Sequence, residues 1–329
     1  GLPHLPGRKP FGGHIMSQDF VEAALMRRAG WEVRMAPLLG GSYEETPPTL
    51  SDLIARDRRW CQGNLQHLMV LPSRGLHWIS RLHLLRGVSS YLTAPIWLAL
   101  LVMGVILALR PDLGVAGWSH ARGDGAVAHA DSGAVLGIFA ISMGFLLAPK
   151  LMAFAAMLAD PDERRAFGGA RRAFGGLMLE MALSTLIAPI LMLNQVRALA
   201  SILAGRDSGW PAQSRDEGRV SLAEAARRHL GDTLAGLALA AAALWAAPDL
   251  LLWMSPVVAG LIGAIPVAML SARRDLGLKA RRAGLLLIPE ETSPPPVIVH
   301  LNALLTRPPE PTPHATPRRA PVAAEPLFS

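Results

Sequence analysis

The sequence predicts a membrane α-helical bundle preceded by a short α/β segment, and three observations carry that reading. The 329-residue chain is 51% hydrophobic and 17% charged, with a mean hydropathy of +0.32, too apolar for an ordinary water-soluble domain of this length. Val88 to Leu109 is an uncharged run long enough to cross a bilayer. Arginines cluster beside the apolar runs, as charges that orient membrane helices do. The net charge of +7, from 32 Lys+Arg against 25 Asp+Glu, is therefore read as topological and not as a nucleic-acid footprint. Cys61 is the single cysteine, which excludes an intrachain disulfide. The opening Gly1-Leu2-Pro3 has neither an initiator Met nor a signal-peptide pattern, so the chain reads as a piece of a longer protein.

Residues 1–14 are rich in Gly and Pro and predict a loop approaching a site. Ser17 then suits the cap of a helix with Asp19 and Glu22 in its first turn and Gly30 at its end. Trp31 to Met35 alternates as a strand does and stops at Pro37. Fewer than fifty residues of this α/β material precede Pro47, too few to bury a complete α/β core. After Pro47-Pro48, Thr49 or Ser51 can cap a second helix running to about Met69. At about 100° per residue, Leu50, Leu53, Cys61 and Leu68 fall on one side, and Arg56, Arg59, Trp60 and Gly63 share a neighbouring sector. Residues 1–70 thus form a soluble region. Pro72 breaks the pattern, and residues 71–87 set Ile79, Leu82 and Leu85 against Arg74, Arg81 and Arg86, the pattern of a short interfacial helix on anionic lipid.

The membrane region covers 88–270, with runs at about 88–109, 133–158, 177–203, 232–251 and 252–270. Arg164, Arg165, Arg171 and Arg172 place the loop after the second run on the same, cytoplasmic side as the N-terminal region. The third run carries Glu180, Pro189 and Arg197 and has basic flanks on both sides. It is either a broken hairpin returning to the cytoplasm or a single span at which the charge rule fails. The hairpin is favoured, because an acid and an arginine are costly in lipid and tolerable beside a polar path. Arg273, Arg274, Lys279, Arg281 and Arg282 return residues 271–329 to the cytoplasm, and the Pro-rich 289–329 predicts disorder.

Asp19 is the first candidate for chemistry, since a carboxylate in the first turn of a helix suits a general base, although any helix-capping acid has this signature. Arg56, Arg58 and Arg59 suit a phosphate and Trp60 suits the face of a sugar ring, whereas each alone fits a basic, aromatic membrane flank. Asp160-Pro161-Asp162 has Asp-x-Asp spacing but sits between a membrane run and a basic loop, and His120 and His129 lack ligand spacing. A transporter or channel lined by Glu180 and Arg197 is the alternative from another class. Such a protein needs no Asp19 helix followed by an Arg-Trp helix.

Together, Ser17-Gln18-Asp19, Arg56-Asp57-Arg58-Arg59-Trp60 and the following runs resemble the family 2 processive glycosyltransferases. Gly12-Gly13-His14, Asp19 to Trp31, Gly41 to Glu45, Arg56 to Leu65, Ser90 to Pro95 and Leu286 to Pro295 are most similar to the branch that builds osmoregulated periplasmic glucans. The resemblance implies that residues 1–70 are the C-terminal remnant of a GT-A type α/β domain. It further implies a bacterial inner-membrane enzyme that transfers glucose from UDP-glucose to a β-1,2-glucan acceptor, inverting the anomeric centre and exporting the product. Asp19 would be the catalytic base, Arg59 a diphosphate contact and Trp60 the acceptor platform. Arg56 stands where many relatives have Gln, and Gln18 stands where the motif has Glu. The divalent metal of the family, Mg or Mn, would be held by an Asp-x-Asp upstream of Asp19, outside this chain, so the piece alone is expected to be inactive. Membrane lipid and acyl carrier protein are the further partners that the resemblance implies.

Overall fold

The computed structural model describes residues 4–36, 39–110, 132–209 and 219–306. The first helix, α1 (Gln18–Arg28), begins after Ser17 as the capping pattern predicts, although the Ser17 side chain makes no capping hydrogen bond. In α2 (Leu50–Val70) the Thr49 hydroxyl does accept the Asp52 amide, satisfying one of the orphan N–H groups of the first turn. Of the residues placed on its apolar side, Leu50 and Cys61 are buried, but Leu68 is exposed.

Trp31 to Met35 does not form a strand, and the described residues contain only one isolated bridge, between Leu5 and Gly13. A lone alternating segment without a neighbouring strand has no ladder partner for its N–H and C=O groups, and this one is exposed. The α/β character expected for residues 1–70 is therefore not seen among the described residues.

The amphipathic segment and the first apolar run, expected as separate pieces, form one helix, α3 (Trp78–Leu109), because nothing between Leu85 and Val88 breaks the ladder. Then follow α4 (Ser132–Ala159) and the short α5 (Pro161–Ala166). Asp160 caps α5 through the Asp162 and Glu163 amides, and Asp162 pairs with Arg165, so the Asp-x-Asp spacing serves a helix start. His120 and His129 lie outside the described residues.

The run at 177–203 is neither a hairpin nor broken. It is part of α6 (Ala170–Leu203), a continuous helix with Pro189 inside it, roughly 50 Å long at 1.5 Å per residue. The region after it is α7 (Leu222–Ala246), which starts ten residues before the expected 232, then α8 (Pro248–Ile262) and α9 (Ala264–Ser271), bent by 57° at Gly263. Beyond these comes α10 (Arg274–Arg282), then α11 (Pro289–Thr292) and α12 (Pro296–Thr306), which replace part of the disorder expected for 289–329, and residues 307–329 lie outside the described set.

Among the described residues four helices are long and apolar enough to cross a membrane, or five counting the bent pair. Their packing separates them into two kinds. Val105 of α3 packs with Ala243, Ala247, Leu250, Met254 and Val258 of α7 and α8, a longitudinal core. By contrast, α6 meets a different neighbour at each stage of its length. Phe174 and Glu180 meet Phe154 and Lys150 of α4, Leu186 and Pro189 meet Gly260 of α8, Arg197 meets Asp232 of α7, and Leu199 and Ile202 meet Val88 and Tyr91 of α3. Thus α6 meets four helices in turn, and from Ile190 to Ser201 it also lies beside α2. Two of its charged groups are paired: Glu180 with Lys150 at 2.5 Å, and Arg197 with the buried Asp232, which also bonds His229 at 2.9 Å.

Candidate active site

The stretch Arg56 to Asn64 occupies the middle of α2, and its residues divide by direction. One set fastens the helix. Asp57 accepts hydrogen bonds from the Tyr91 hydroxyl of α3 at 3.1 Å and from Gln195 of α6 at 3.0 Å. Burial raises its pKa, and those two bonds with the nearby Arg56 charge pull it back. Arg58 donates to Ser201 of α6 at 3.1 Å. Gln62 donates to Asp207 at 2.8 Å and to the Pro10 carbonyl at 3.2 Å, and accepts the Ser208 amide at 2.6 Å. Gln66 donates to the Pro10 and His14 carbonyls and accepts the Met16 amide at 2.9 Å. The Gly/Pro-rich loop is therefore an ordered one, held by two buried glutamines of α2. Cys61 is buried, and burial beside Asp57 pushes its thiol up to about 12, which makes it a packing residue and not a nucleophile. Burial also lowers the pKa of His67, whose ring centroid lies 5.5 Å from that of Phe20.

The other set faces a cavity of about 540 Å³ between α1, α2 and α3. Asp19 and Phe20 of α1, Trp60 and Asn64 of α2, and His83, Arg86, Ser90 and Tyr91 of α3 line it. The sequence-predicted base and the sequence-predicted platform thus share one cavity, although they are separated by forty residues of chain. Two glycines allow this approach. A methyl group on Gly63 would lie 2.7 Å from the Ser17 amide nitrogen, so α1 begins directly against α2. One on Gly87 would lie 2.2 Å from Asn64 Oδ1, so α3 is equally close on the other side.

Arg56 is placed over the Trp60 ring, its guanidinium carbon 4.5 Å from the centroid, a cation–π contact. One face of the indole is thereby covered, and its cavity side, in a residue 47% exposed, is what a ligand can use. Arg56 also lies 3.9 Å from Glu44. Arg59 is half-buried, and Gln18 is exposed in the first turn of α1 without lining the cavity. The α3 wall, His83, Arg86 and Ser90, was missed in the sequence because these residues read as a membrane flank. Their three- and four-residue spacing on one helical face was the available signal. Among the described residues no group of three or more His, Cys, Asp or Glu is arranged to hold a metal ion.

Residues 10–157 match the model of Glycosyl transferase family group 2. The resemblance read from Ser17 to Asp19 and from Arg56 to Trp60 thus has an independent counterpart covering both segments. The chain is similar, more particularly, to glucans biosynthesis glucosyltransferase H of Xylella fastidiosa, at 48% identity over 313 residues, 92% of this chain and 48% of that protein. The proteins of the same name from Xanthomonas oryzae pv. oryzae (50% over 309 residues, 92% and 47%) and Rhodopseudomonas palustris (48% over 312 residues, 93% and 42%) are similar to the same extent. The chain spans about half the length of the curated relatives it matches. No solved structure matches it.

Proposed function

We propose that this chain is the acceptor-binding and membrane half of a glucosyltransferase that extends a β-1,2-glucan from UDP-glucose and passes it across the bacterial inner membrane. The observation that carries this is the shared cavity of Asp19 and Trp60. A sugar ring stacked on the open side of Trp60 would present a hydroxyl toward Asp19. Asp19 takes the hydroxyl proton, the oxygen attacks C1 of the donor glucose from the face opposite the leaving group, and the C1–O bond breaks with its electrons leaving on UDP. Arg59 and Arg56 supply positive charge near the departing diphosphate, and Gln18 is proposed as a flanking substrate contact. A divalent metal, Mg or Mn, belongs to the proposal for the full-length protein, with ligands outside this chain. The extended Trp31 to Met35 segment is proposed to find its sheet partners in the rest of a GT-A type domain. Acyl carrier protein remains a proposed partner.

The succession of neighbours along α6, and its contacts with α2, support a simple topology. With α6 lying along one membrane surface, α3, α4, α7 and the α8–α9 pair make four crossings, and both described ends of the chain lie on the cytoplasmic side. The basic flanks at both ends of α6 agree with that arrangement. Membrane lipid covers the exposed apolar side chains of α4, such as Ile138 and Phe145.

Membranes containing the full-length protein, supplied with UDP-glucose labelled in the sugar, are expected to accumulate a labelled polymer with β-1,2 linkages, and membranes containing only this chain to make none. Label in another linkage would refute the product assignment. Transfer from a different nucleotide sugar in its place would refute the donor.

A further inference from the structure

We propose that the junction of α9 and α10 is a phosphate-recognition site, separate from the Asp19–Trp60 cavity and independent of the glucan-transfer reading. A second cavity, of about 530 Å³, opens there, with Ser271, Arg273, Arg274 and Arg281 on its wall. Arg274 and Arg281 are seven residues apart on α10 and so lie on the same helical face. An adjoining hollow of about 380 Å³ shares Arg274 and adds Arg219 from the segment before α7. Four guanidinium groups from two parts of the chain therefore converge on one region. Guanidinium is the side-chain group best matched to a phosphate, because its planar fork reaches two oxygens at once.

The carboxylates nearby limit the charge without closing the site. Asp275 holds Arg273 through Nε at 3.0 Å and Nη2 at 2.6 Å, which leaves the Nη1 donors of Arg273 available. Glu291 sits 3.4 Å from Arg281 Nε, and Glu45 also lines the cavity. Arg273 and Arg281 stay roughly half exposed.

Depth argues for what reaches the site. The cavity starts at Ser271, the last residue of the apolar α9, and continues along the charged α10. In a membrane this change from apolar to basic helix falls at the level of the lipid phosphates. The phosphodiester of an anionic lipid and a soluble phosphate offer the same chemistry. The lining residues Glu45 and Pro48 lead within one residue to the Thr49 cap of α2, and Glu44 contacts Arg56. A bound phosphate would thus touch the segment that enters the Arg-Trp helix.

The test uses the whole chain in neutral detergent, with binding of phosphatidylglycerol, phosphatidylcholine and inorganic pyrophosphate read by native mass spectrometry. Phosphatidylglycerol is expected to bind more tightly than phosphatidylcholine. The double variant Arg274→Gln/Arg281→Gln should weaken phosphatidylglycerol binding by at least about tenfold, whereas Arg164→Gln/Arg165→Gln on α5, an equal loss of charge, should leave it unchanged. Arg274→Lys/Arg281→Lys, which keeps the charge and removes the fork, should fall between them. Pyrophosphate binding lost in the same α10 variant, with no lipid bound, would assign the site to a soluble phosphate. Equal binding by the α10 and α5 glutamine variants, for both ligands, would overturn the proposal. The readout is binding and not transfer, so failure here is distinguishable from failure of the glucan reading.

Discussion

Asp19→Asn in the full-length protein is expected to abolish glucan synthesis, with a loss of at least about a hundredfold, the lower range for removing a general base. The substitution keeps the size of the side chain and its place in the first turn of α1, so the helix start and the contact of Ser17 with Gly63 are undisturbed. Membrane insertion and thermal stability should match the unaltered protein. Incorporation of labelled glucose in isolated membranes measures the effect, alongside the amount of inserted protein. Synthesis retained within a few-fold would remove Asp19 from the role of base, and the cavity would then need another acceptor for the proton.

The second large effect is expected at Gly63. A methyl group there meets the Ser17 nitrogen at 2.7 Å, its Cβ at 2.8 Å and the Met16 carbonyl carbon at 3.1 Å. Two of those three atoms are backbone, so no rotamer change relieves the contact and α1 must move away from α2. Gly63→Ala should therefore cost about 1–3 kcal/mol of stability, and should lower transfer sharply because Asp19 travels with α1. Gly104→Ala is the matched control, since it lies inside α3 with nothing within 4 Å of the added carbon. There the change should be neutral or slightly stabilising, as alanine is the better helix former. Thermal unfolding of the two variants in detergent measures the contrast. Equal midpoints would mean that α1 does not pack against α2 as described.

Local rules predicted much of this architecture. The starts of α1 and α2 followed from Ser17 and Thr49, and the Arg-Trp helix from the Pro-Pro breaker ahead of it. The strand at Trp31 to Met35 was a real alternation, but pairing is non-local and the described residues supply no partner. Hydropathy alone does not separate a helix across a membrane from one lying on it, because length and apolarity are the same for both. Glu180, Arg197 and the two basic flanks point to a hairpin, whereas α6 is one uninterrupted helix.

The site was legible in parts. Asp19, Arg56 and Trp60 were picked from residue chemistry, and the structure brings Asp19 and Trp60 to one cavity with Arg56 stacked on the indole. That Asp57, Arg58, Gln62 and Gln66 fasten α2 could not be read from the stretch itself, because their partners, such as Tyr91, Gln195, Ser201 and Pro10, are remote in the chain. The same distance hid the α3 wall. His83, Arg86 and Ser90 become recognisable only when α3 lies beside α2, and the space left at Gly87 is what permits it.

The central claim is that the open side of Trp60 holds the acceptor sugar beside Asp19. Its most direct test is Trp60→Ala in the full-length protein, comparing elongation of the glucan with hydrolysis of UDP-glucose to free glucose, in which water replaces the acceptor. Elongation should fall by at least about tenfold while hydrolysis stays within a few-fold, because loss of an aromatic platform weakens acceptor binding and leaves the donor in place. Equal losses of both activities would contradict the account.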